Sequence, residues 1–411
     1  MYKRYTLDNG LRIVTEHIPF VKSISIGVWI ETGSKHETSE NNGISHFIEH
    51  MLFKGTTTKT AKEIAETIDG IGGQINAFTS KECTCYYTKV LDSHYELAID
   101  LLADMLFNSK FDKDDMQKEK SVIYEEISMY EDSPEDLVHD LLYQSIFKNS
   151  ALGLPILGIN ESLNKINRDS IIEHMNKYYV PNNAVISVAG NFDEDNLLRT
   201  IESKFGHWKE SKSLALKEET SKYNYGEFYK TKDIEQTHLC LGFKGITLGE
   251  NKLYPLLVVN NILGGSMSSR LFQNIREERG LVYSIYSYPS TYKGGGLLTI
   301  YAGMNPDLLE EVKRLIFNEL EELRISGLSA LEVNKSKEQL KGNYILGLES
   351  TSSRMTSIGK SELLLKKIYS PKEIIEKIDA VKLEDTEKII KEIIDLNKVT
   401  LTVVGKADER E

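Results

Sequence analysis

The chain has 411 residues, which is too many for one ordinary hydrophobic core, so two or more domains are expected. It is 40% hydrophobic and 27% charged, a balance typical of globular proteins, and 50 basic against 62 acidic residues give a net charge of −12. The negative charge argues against binding to nucleic acid or to anionic membrane surfaces and favours basic partners. No apolar run approaches the length that spans a bilayer.

The first residues and the cysteines indicate the compartment. The chain starts with a strand, a turn at Asn9-Gly10 and another strand, without a signal or transit segment. Its three cysteines are an odd and small number, which fits a reducing compartment without structural disulfides. Cys83 and Cys85 lie in a strand-like run and are interpreted as packing residues. A cytoplasmic protein is therefore expected.

Hydrophobic periodicity and turn signals predict alternating strands and helices in the first half of the chain. Strands are predicted within 5–30, over 74–88 and over 184–190. Capping boxes at Thr60-Glu63 and Ser93-Glu96 predict helices that end near 69 and 107. Further helices are predicted over 43–53, 113–130 and 135–147, and up to about 179.

The most informative stretch is Gly43-Ile44-Ser45-His46-Phe47-Ile48-Glu49-His50-Met51-Leu52-Phe53. On a helix His46 and His50 share one face, so both imidazoles can bind one zinc ion, and Glu49 lies close to a water on that metal. The order His-x-x-Glu-His is that of the inverzincin peptidases. The alternative is a surface helix with two scattered histidines. The apolar neighbours argue against it, because polar groups among them need partners.

The second half of the chain resembles the first. Residues 26–29, 51–56 and 186–190 resemble 241–244, 261–266 and 401–405, in the same order and at offsets of 210 to 215. The Lys-, Glu-, Ser- and Thr-rich stretch 211–226 is predicted to be a linker. The predicted domains are therefore 1–210, which carries the histidine motif, and 227–411. The second domain has Leu256, Val259 and Asn260 at the motif positions and cannot bind zinc in this way.

A zinc site of this kind needs a third protein ligand, and a glutamate is the expected type. The candidates lie in the predicted helix, within residues 119–126. Glu119 and Glu126 are seven residues apart and share one face, as expected if one binds the metal and the other supports it. Spacing alone does not decide between Glu125 and Glu126. The alternative is a solvated acidic face with Lys118 and Lys120 as partners.

These motifs together resemble the family of pitrilysin, insulysin and the mitochondrial processing peptidase, in particular its short-chain bacterial branch. The resemblance covers essentially the whole chain. It rests on residues 9–11, 43–55, 72–77, Glu119 with Glu126, 267–272 and 276–283. It implies an α+β fold with two homologous domains. Each would be sandwich-like, with helices packed on a mixed, largely antiparallel sheet, and the chains would form a clam-shell dimer.

The resemblance also implies roles for individual residues. His46, His50 and Glu126 would bind one Zn²⁺ per chain, with Glu119 supporting the ligands. Glu49 would be the general base on zinc-bound water.

Two further catalytic residues are implied in the second domain. Arg276 would orient the substrate and Tyr283 would stabilise the oxyanion, in a closed chamber formed with a partner chain. Without the family, Arg276 reads as an ordinary helix-surface charge and Tyr283 as a strand aromatic. A homodimer follows from this arrangement.

The substrate is expected to add to an edge strand over 74–79, with Asn76, Ala77 and Phe78 next to the scissile region. For Asn76 the alternative is a residue of a strand-end turn.

The predicted function is zinc-dependent cleavage of unstructured peptides or presequence-like segments, with basic peptides favoured by the net charge. The alternative is a catalytically silent or regulatory subunit of a processing-peptidase-like heterodimer. The intact set of His46, Glu49, His50 and Glu126 argues against that alternative.

Overall fold

A computed structural model describes residues 2–148, 150–210 and 220–406. The described residues of the first half form six strands and eight α-helices: β1 (Tyr2–Thr6), β2 (Arg12–His17), β3 (Ser23–Ile30), α1 (Ile44–Leu52), α2 (Ala61–Asp69), β4 (Gln74–Thr79), β5 (Thr84–Leu91), α3 (Tyr95–Asn108), α4 (Lys113–Asp132), α5 (Pro134–Ile146), α6 (Asn160–Lys165), α7 (Arg168–Tyr178), β6 (Ala184–Gly190) and α8 (Glu194–Phe205). The described part of the second half adds β7 (Gly226–Thr231), β8 (Thr237–Lys244), α9 (Leu253–Leu263), β9 (Val282–Tyr292), β10 (Gly295–Met304), α10 (Leu309–Ser326), α11 (Ala330–Gly347), α12 (Thr351–Leu365), α13 (Pro371–Asp379), α14 (Leu383–Ile393) and β11 (Val399–Gly405).

Of the two predicted capping boxes one is confirmed and one is wrong, and the long strand predicted over 74–88 is divided. The box at Thr60 and Glu63 is confirmed, since each side chain bonds the other's backbone at the start of α2. The box at Ser93 is wrong, because Ser93 lies inside a 3₁₀ turn and α3 begins at Tyr95 without a side-chain cap. The single strand predicted over 74–88 is two antiparallel strands, β4 and β5, joined by a tight connection.

Both halves build a mixed sheet with the same topology. The strand order is β1-β2-β6-β3-β5-β4 in the first sheet and β7-β11-β8-β10-β9 in the second. From β2 onwards, each strand of the first sheet has a counterpart at the same place in the second. One pair in each sheet, β2 with β6 and β7 with β11, is parallel, and the other pairs are antiparallel. The internal repeat read from the sequence is therefore present in the fold.

The chain forms two compact units, and neither is a continuous stretch. The first comprises Met1–Ile127, Leu154–Lys217 and Leu346–Ser370, and the second comprises Ser128–Gly153, Glu218–Ile345 and Pro371–Glu411. The first unit thus includes α12, which packs on β2, β3 and β6, and the second includes α5, which packs on β8 and β11. Of the predicted linker, residues 211–219 lie outside the described residues, and β7 starts at its last residue.

Each unit has its own hydrophobic core between its sheet and its helices. In the first unit Ile26, Phe47 and Ile123 are fully buried and bring β3, α1 and α4 into one cluster. In the second, Leu241 and Val258 are buried in the same way. These contacts fix the helix that carries the histidines against the long helix that carries the glutamates.

Within the described ranges, none of the helices has both the length and the apolar character needed to cross a membrane.

Candidate metal centre

Helix α1 is short and owes its place to packing. It has nine residues, and an isolated helix of that length is marginal in water. Phe47, Ile48 and Met51 are almost fully buried and face the core of the first unit. His46, Glu49 and His50 belong to the same helix, and Glu49 and His50 are only half-buried. The apolar side chains therefore orient the polar ones.

A buried carboxylate caps the start of α1. Glu37 accepts hydrogen bonds from the Gly43 N–H at 2.7 Å and the Ser45 N–H at 2.9 Å. The Asn42 side chain donates a third bond to Glu37, at 2.9 Å. Burial raises the pKa of Glu37, and the three donors oppose that shift. A carboxylate at the amino end of a helix also interacts favourably with the helix dipole.

Two imidazoles and one carboxylate converge next to α1. The Nε2 atoms of His46 and His50 both lie 3.7 Å from Glu126 Oε2. One ligand atom from each of the three residues lies within 4.8 Å of the other two. Glu126 comes from α4, where its neighbour Glu125 is exposed to solvent. The structure thus brings Glu126, and not Glu125, to the two histidines.

The donor set fits a zinc ion. Separations of 3.7 Å are too long for a hydrogen bond and are close to the roughly 3.4 Å between neighbouring ligand atoms of a tetrahedral zinc. Burial, followed by the influence of His50, lowers the pKa of His46 to about 3, so the imidazole is neutral and can donate a lone pair. Its Nδ1 is buried and has no hydrogen-bond partner among the described residues. Two imidazole nitrogens and one carboxylate leave a fourth position for chemistry.

Glu119 contacts the Nδ1 side of the His50 ring, opposite the Nε2 atom that faces Glu126. The Nδ1 atom of His50 lies 3.1 Å from Glu119 Oε2, so its N–H can donate to that carboxylate while Nε2 faces Glu126. Lys54 binds the other oxygen of Glu119 at 2.6 Å. Such a carboxylate fixes the tautomer and orientation of a metal-binding histidine. The alternative was that Glu119 and Glu126 form a solvated acidic face paired with Lys118 and Lys120. In the structure Lys118 pairs with Asp115, and Lys120 donates to the Asn164 carbonyl.

Glu49 is held by a residue of the neighbouring sheet. The Thr79 hydroxyl, at the end of β4, donates to Glu49 Oε2 at 2.5 Å. Burial raises the pKa of Glu49, while the Thr79 hydrogen bond and His50 act in the opposite direction. The carboxyl group is therefore fixed in orientation and is a better proton acceptor than an exposed glutamate.

The residues expected to meet the substrate lie on β4, an outer strand of the first sheet. Asn76 is exposed, and its side-chain oxygen accepts a hydrogen bond from the Ala77 N–H at 2.8 Å. Phe78 packs edge-on against Trp29, with ring centroids 5.6 Å apart. Asn76 lies within the strand, so its reading as a strand-end turn residue is wrong.

The two residues expected to complete the chemistry belong to the second unit. Arg276 lies in a π-helical segment, Phe272–Glu277, with its guanidinium 4.7 Å from the centre of the Phe272 ring. Tyr283 is on β9, another outer strand, and 75% of it is exposed. The catalytic roles of Arg276 and Tyr283 remain predictions.

The second unit has no counterpart of the metal cluster in its described part. At the motif positions of α9, Leu256 and Val259 are buried in the core. Asn260 accepts a hydrogen bond from Ser287 at 2.8 Å. The motif positions of α9 are therefore taken by two core side chains and one hydrogen-bonded asparagine.

Three residues around the metal cluster were not singled out from the sequence: Glu37, Lys54 and Thr79. Lys54 follows His50 by one helical turn, a spacing that could have suggested a shared partner. Thr79 shares a strand face with Ala77, but nothing local connects it to Glu49. Glu37 lies in a loop, and only the folded chain reveals its contact with the start of α1.

Comparison with known proteins gives consistent matches. Residues 12–159 match the insulinase family, peptidase family M16, and residues 165–340 match the peptidase M16 inactive domain. The chain is 52% identical to the uncharacterized zinc protease YmxG of Bacillus subtilis, over 96% of each chain. It is 38% identical to an uncharacterized zinc protease of Streptomyces coelicolor, over 100% of this chain and 90% of that protein.

Solved structures share the fold. A protease from Helicobacter pylori superposes with a TM-score of 0.93 at 21% identity, over 98% of this chain and 99% of that chain. A peptidase M16 inactive domain from Pseudomonas fluorescens also has a TM-score of 0.93, at 17% identity, over 100% and 99% of the two chains. These matches confirm the family resemblance drawn from the motifs and the α+β fold with two related domains.

Proposed function

The chain belongs to peptidase family M16, the insulinase family, and from this we propose that it is a zinc-dependent endopeptidase. The observation that carries the proposal is the convergence of His46, His50 and Glu126, with Glu49 on the same helix. Its substrates would be unstructured peptides or presequence-like segments.

The three converging residues would hold one zinc ion per chain. A bound zinc ion supplies a Lewis acid for the peptide carbonyl and lowers the pKa of a bound water to about 7. His46 enters this set as a neutral imidazole because it is buried. Glu119 keeps the Nδ1 proton on His50, so that Nε2 is free to act as a ligand.

Glu49 would be the general base. It accepts a proton from the attacking water and then passes it to the amine that leaves. A raised pKa suits both steps, because the carboxyl must take up a proton and release it near neutral pH.

The substrate would bind as an additional strand on β4. Main-chain hydrogen bonds to an outer strand fix an extended peptide with little dependence on its sequence. Asn76, Ala77 and Phe78 would contact the residues around the scissile bond. Since the Asn76 side chain occupies the Ala77 N–H, a peptide that needs this donor must displace it.

The second unit would complete the reaction across a dimer. In this proposal Arg276 orients the substrate and Tyr283 stabilises the oxyanion at the metal site of a second copy of the chain. The high exposure of Tyr283 leaves its hydroxyl available for such a role. The two chains would enclose the substrate as a clam-shell homodimer.

The proposal extends to the substrate class and the compartment. A net charge of −12 favours basic peptides. Cys83, Cys85 and Cys240 are buried free thiols, which suits the reducing cytoplasm.

The proposal is tested by cleavage of a quenched fluorescent peptide by the purified chain. We expect cleavage that disappears after treatment with a chelator and returns with one equivalent of zinc. A folded, zinc-loaded chain that cleaves neither generic nor basic peptides would contradict the proposal and support the silent-subunit alternative.

A further inference from the structure

We propose that Thr79 is a positioning residue that fixes the Glu49 carboxylate and leaves Glu49 Oε1 as the atom that accepts the proton. The inference rests on the proposed function, because it assigns Glu49 the role of general base. It concerns a strand residue outside the histidine motif, and it connects the strand proposed to bind the substrate with the catalytic helix.

The hydrogen bond from Thr79 makes the two carboxylate oxygens of Glu49 different. Thr79 has one hydroxyl proton, and that proton is donated to Oε2 at 2.5 Å. Within the described part of the chain Oε1 accepts no hydrogen bond. Oε2 already shares one of its lone pairs with Thr79, whereas both lone pairs of Oε1 are free, so Oε1 is the more basic oxygen and the acceptor for the proton of the attacking water.

The rest of the hairpin holds Thr79 in place. Beyond Thr79 the chain turns through residues 80–83, and this turn is anchored on the loop before α1. The Lys35 N–H donates to the Lys81 carbonyl at 2.8 Å, and Lys35 Nζ pairs with Glu82 at 2.5 Å. The side chains of Lys35 and Glu82 are 12% and 5% exposed, so this ion pair is little screened by solvent.

The same loop also holds the start of α1, through Glu37. Thr79 and Glu49 therefore reach each other from two elements that are tied to one loop. Groups held by packed elements and by outer hydrogen bonds keep the geometry that catalysis needs. The Thr79–Glu49 contact is thus preorganised by its surroundings.

The position of Thr79 in β4 gives the contact a second consequence. Side chains alternate along a strand, so Ala77 and Thr79 lie on the face towards α1, while Asn76 and Phe78 lie on the other. A peptide that pairs with β4 is aligned by the same strand that orients the base. Substrate register and base orientation are therefore set together.

The test is a set of single substitutions measured with the quenched peptide. Thr79→Val keeps the size of the side chain and removes the hydroxyl, and we expect kcat to fall about 10- to 100-fold with KM changed less than about twofold. Thr79→Ser restores the donor and should recover most of kcat. Zinc affinity, measured by competition with a chelator, should equal that of the unchanged chain in both variants.

Thr88→Val is the matched control. Thr88 lies on β5 with a buried hydroxyl that has no hydrogen-bond partner among the described residues. Its loss should leave kcat and KM unchanged. A fall in kcat for Thr88→Val as large as that for Thr79→Val would overturn the inference, because any loss of a hydroxyl in this sheet would then suffice.

A second measurement needs no activity. In the metal-free protein, the urea midpoints of Thr79→Val, Glu49→Ala and the double variant should be non-additive, since each single change breaks the same bond. Additive midpoints, or wild-type kcat in Thr79→Val while the unchanged chain is active, would overturn this inference alone. A zinc-loaded chain that cleaves no peptide would overturn the proposed function and, with it, the role given to Thr79.

Discussion

Glu126, Glu119 and Glu49 have different surroundings, and these surroundings suggest their tasks. Glu126 faces both Nε2 atoms and has no cation beside it among the described residues. Glu119 lies between Lys54 and the far side of His50, with only 5% of its side chain exposed. Glu49 is bound by a neutral hydroxyl, that of Thr79. The Lys54 contact suits a carboxylate that supports a neighbouring side chain, whereas the Thr79 hydroxyl orients Glu49 without placing a cation beside it.

Lys54 contacts Glu119, and Glu119 contacts His50. This series of contacts predicts that a substitution weakens zinc binding less the further it lies from the metal. Glu119→Gln should raise the zinc dissociation constant about 10- to 100-fold, because the support of His50 loses its charge. Lys54→Met acts one step further away and should raise it about three- to tenfold. Chelator competition measures both. Lys118→Met is the control, since that lysine is exposed and pairs with Asp115. If Lys118→Met and Lys54→Met change zinc affinity equally, Lys54 does not support the site through Glu119.

Two buried histidines predict how the stability of the metal-free protein depends on pH. Burial is the main cause that lowers the pKa of both His46 and His174 to about 3, from an ordinary 6.5. Between pH 3 and pH 6.5 the unfolded chain binds more protons than the folded chain. The two neutral histidines therefore contribute their full stabilisation above pH 6.5 and lose it as the pH falls towards 3.

Removing one of these histidines should flatten that dependence. For each histidine the free energy of unfolding should fall by up to about 1.4 kcal/mol per pH unit in this range. His174→Gln removes one of the two contributions. Urea unfolding of the metal-free protein at several pH values checks this, and identical slopes for His174→Gln and the unchanged chain would show that the buried imidazole has no such effect.

At the scale of elements, α1 and the β4–β5 hairpin are positioned by one loop. Gly33 in that loop lies against the hairpin turn, where an added Cβ would be 2.0 Å from the Ser80 carbonyl oxygen. The backbone of Gly33 is extended, so the need for glycine there comes from this close approach and not from its dihedral angles.

Gly33→Ala should therefore push the hairpin away from the loop. We expect a loss of about 1–3 kcal/mol in unfolding free energy, together with a lower kcat, because Thr79 moves relative to Glu49. Gly342→Ala is the matched control: it lies in α11 with nothing near its added Cβ, and it should be neutral or stabilising by up to about 1 kcal/mol. Thermal unfolding and peptide cleavage measure both. A Gly33→Ala protein as stable and active as the control would contradict this role of the loop.

The elements also show where sequence reasoning succeeds. The helix with His46 and His50 follows from local periodicity, and α1 is found at that place. The turn between β4 and β5 was missed because Ser80-Lys81-Glu82-Cys83 contains no Gly, Pro, Asn or Asp, and its one turn residue, Ser80, is a weak signal. The turn is held by hydrogen bonds between Ser80 and Cys83 and by contacts with the loop at residues 33–35, which is remote in sequence.

Other features depend on tertiary structure in the same way. Glu125 and Glu126 differ by one step around α4, and the packing of that helix on the core decides which of them meets the histidines. Spacing cannot supply that information. The membership of α12 in the first unit and of α5 in the second is equally non-local.

In the whole molecule one fold occurs twice, and among the described residues only the first copy has a cluster that could bind a metal, formed by His46, His50 and Glu126. In the other copy the motif positions have become part of the core, and the predicted contribution of that copy comes from Arg276 and Tyr283. If the proposed homodimer forms, these residues and the metal ligands that they serve belong to different chains. That arrangement can be tested by mixing two inactive variants.

Glu49→Gln and Tyr283→Phe should each lose most activity as pure proteins. After unfolding and refolding together in equal amounts, about a quarter of wild-type activity should return, because half of the dimers contain one intact combination. Gel filtration checks that the mixture is dimeric. If the mixture is no more active than its components, action across two chains is wrong.

In the proposed peptidase, His46, His50 and Glu126 bind the zinc ion and Glu49 is the base. The most direct test measures bound zinc and peptide cleavage side by side in Glu49→Gln and Glu126→Gln. Glu49→Gln should bind one zinc per chain and cleave nothing, whereas Glu126→Gln should bind zinc far more weakly. Cleavage by zinc-loaded Glu49→Gln at the wild-type rate, or unchanged zinc affinity in Glu126→Gln, would show that these residues do not have the proposed roles.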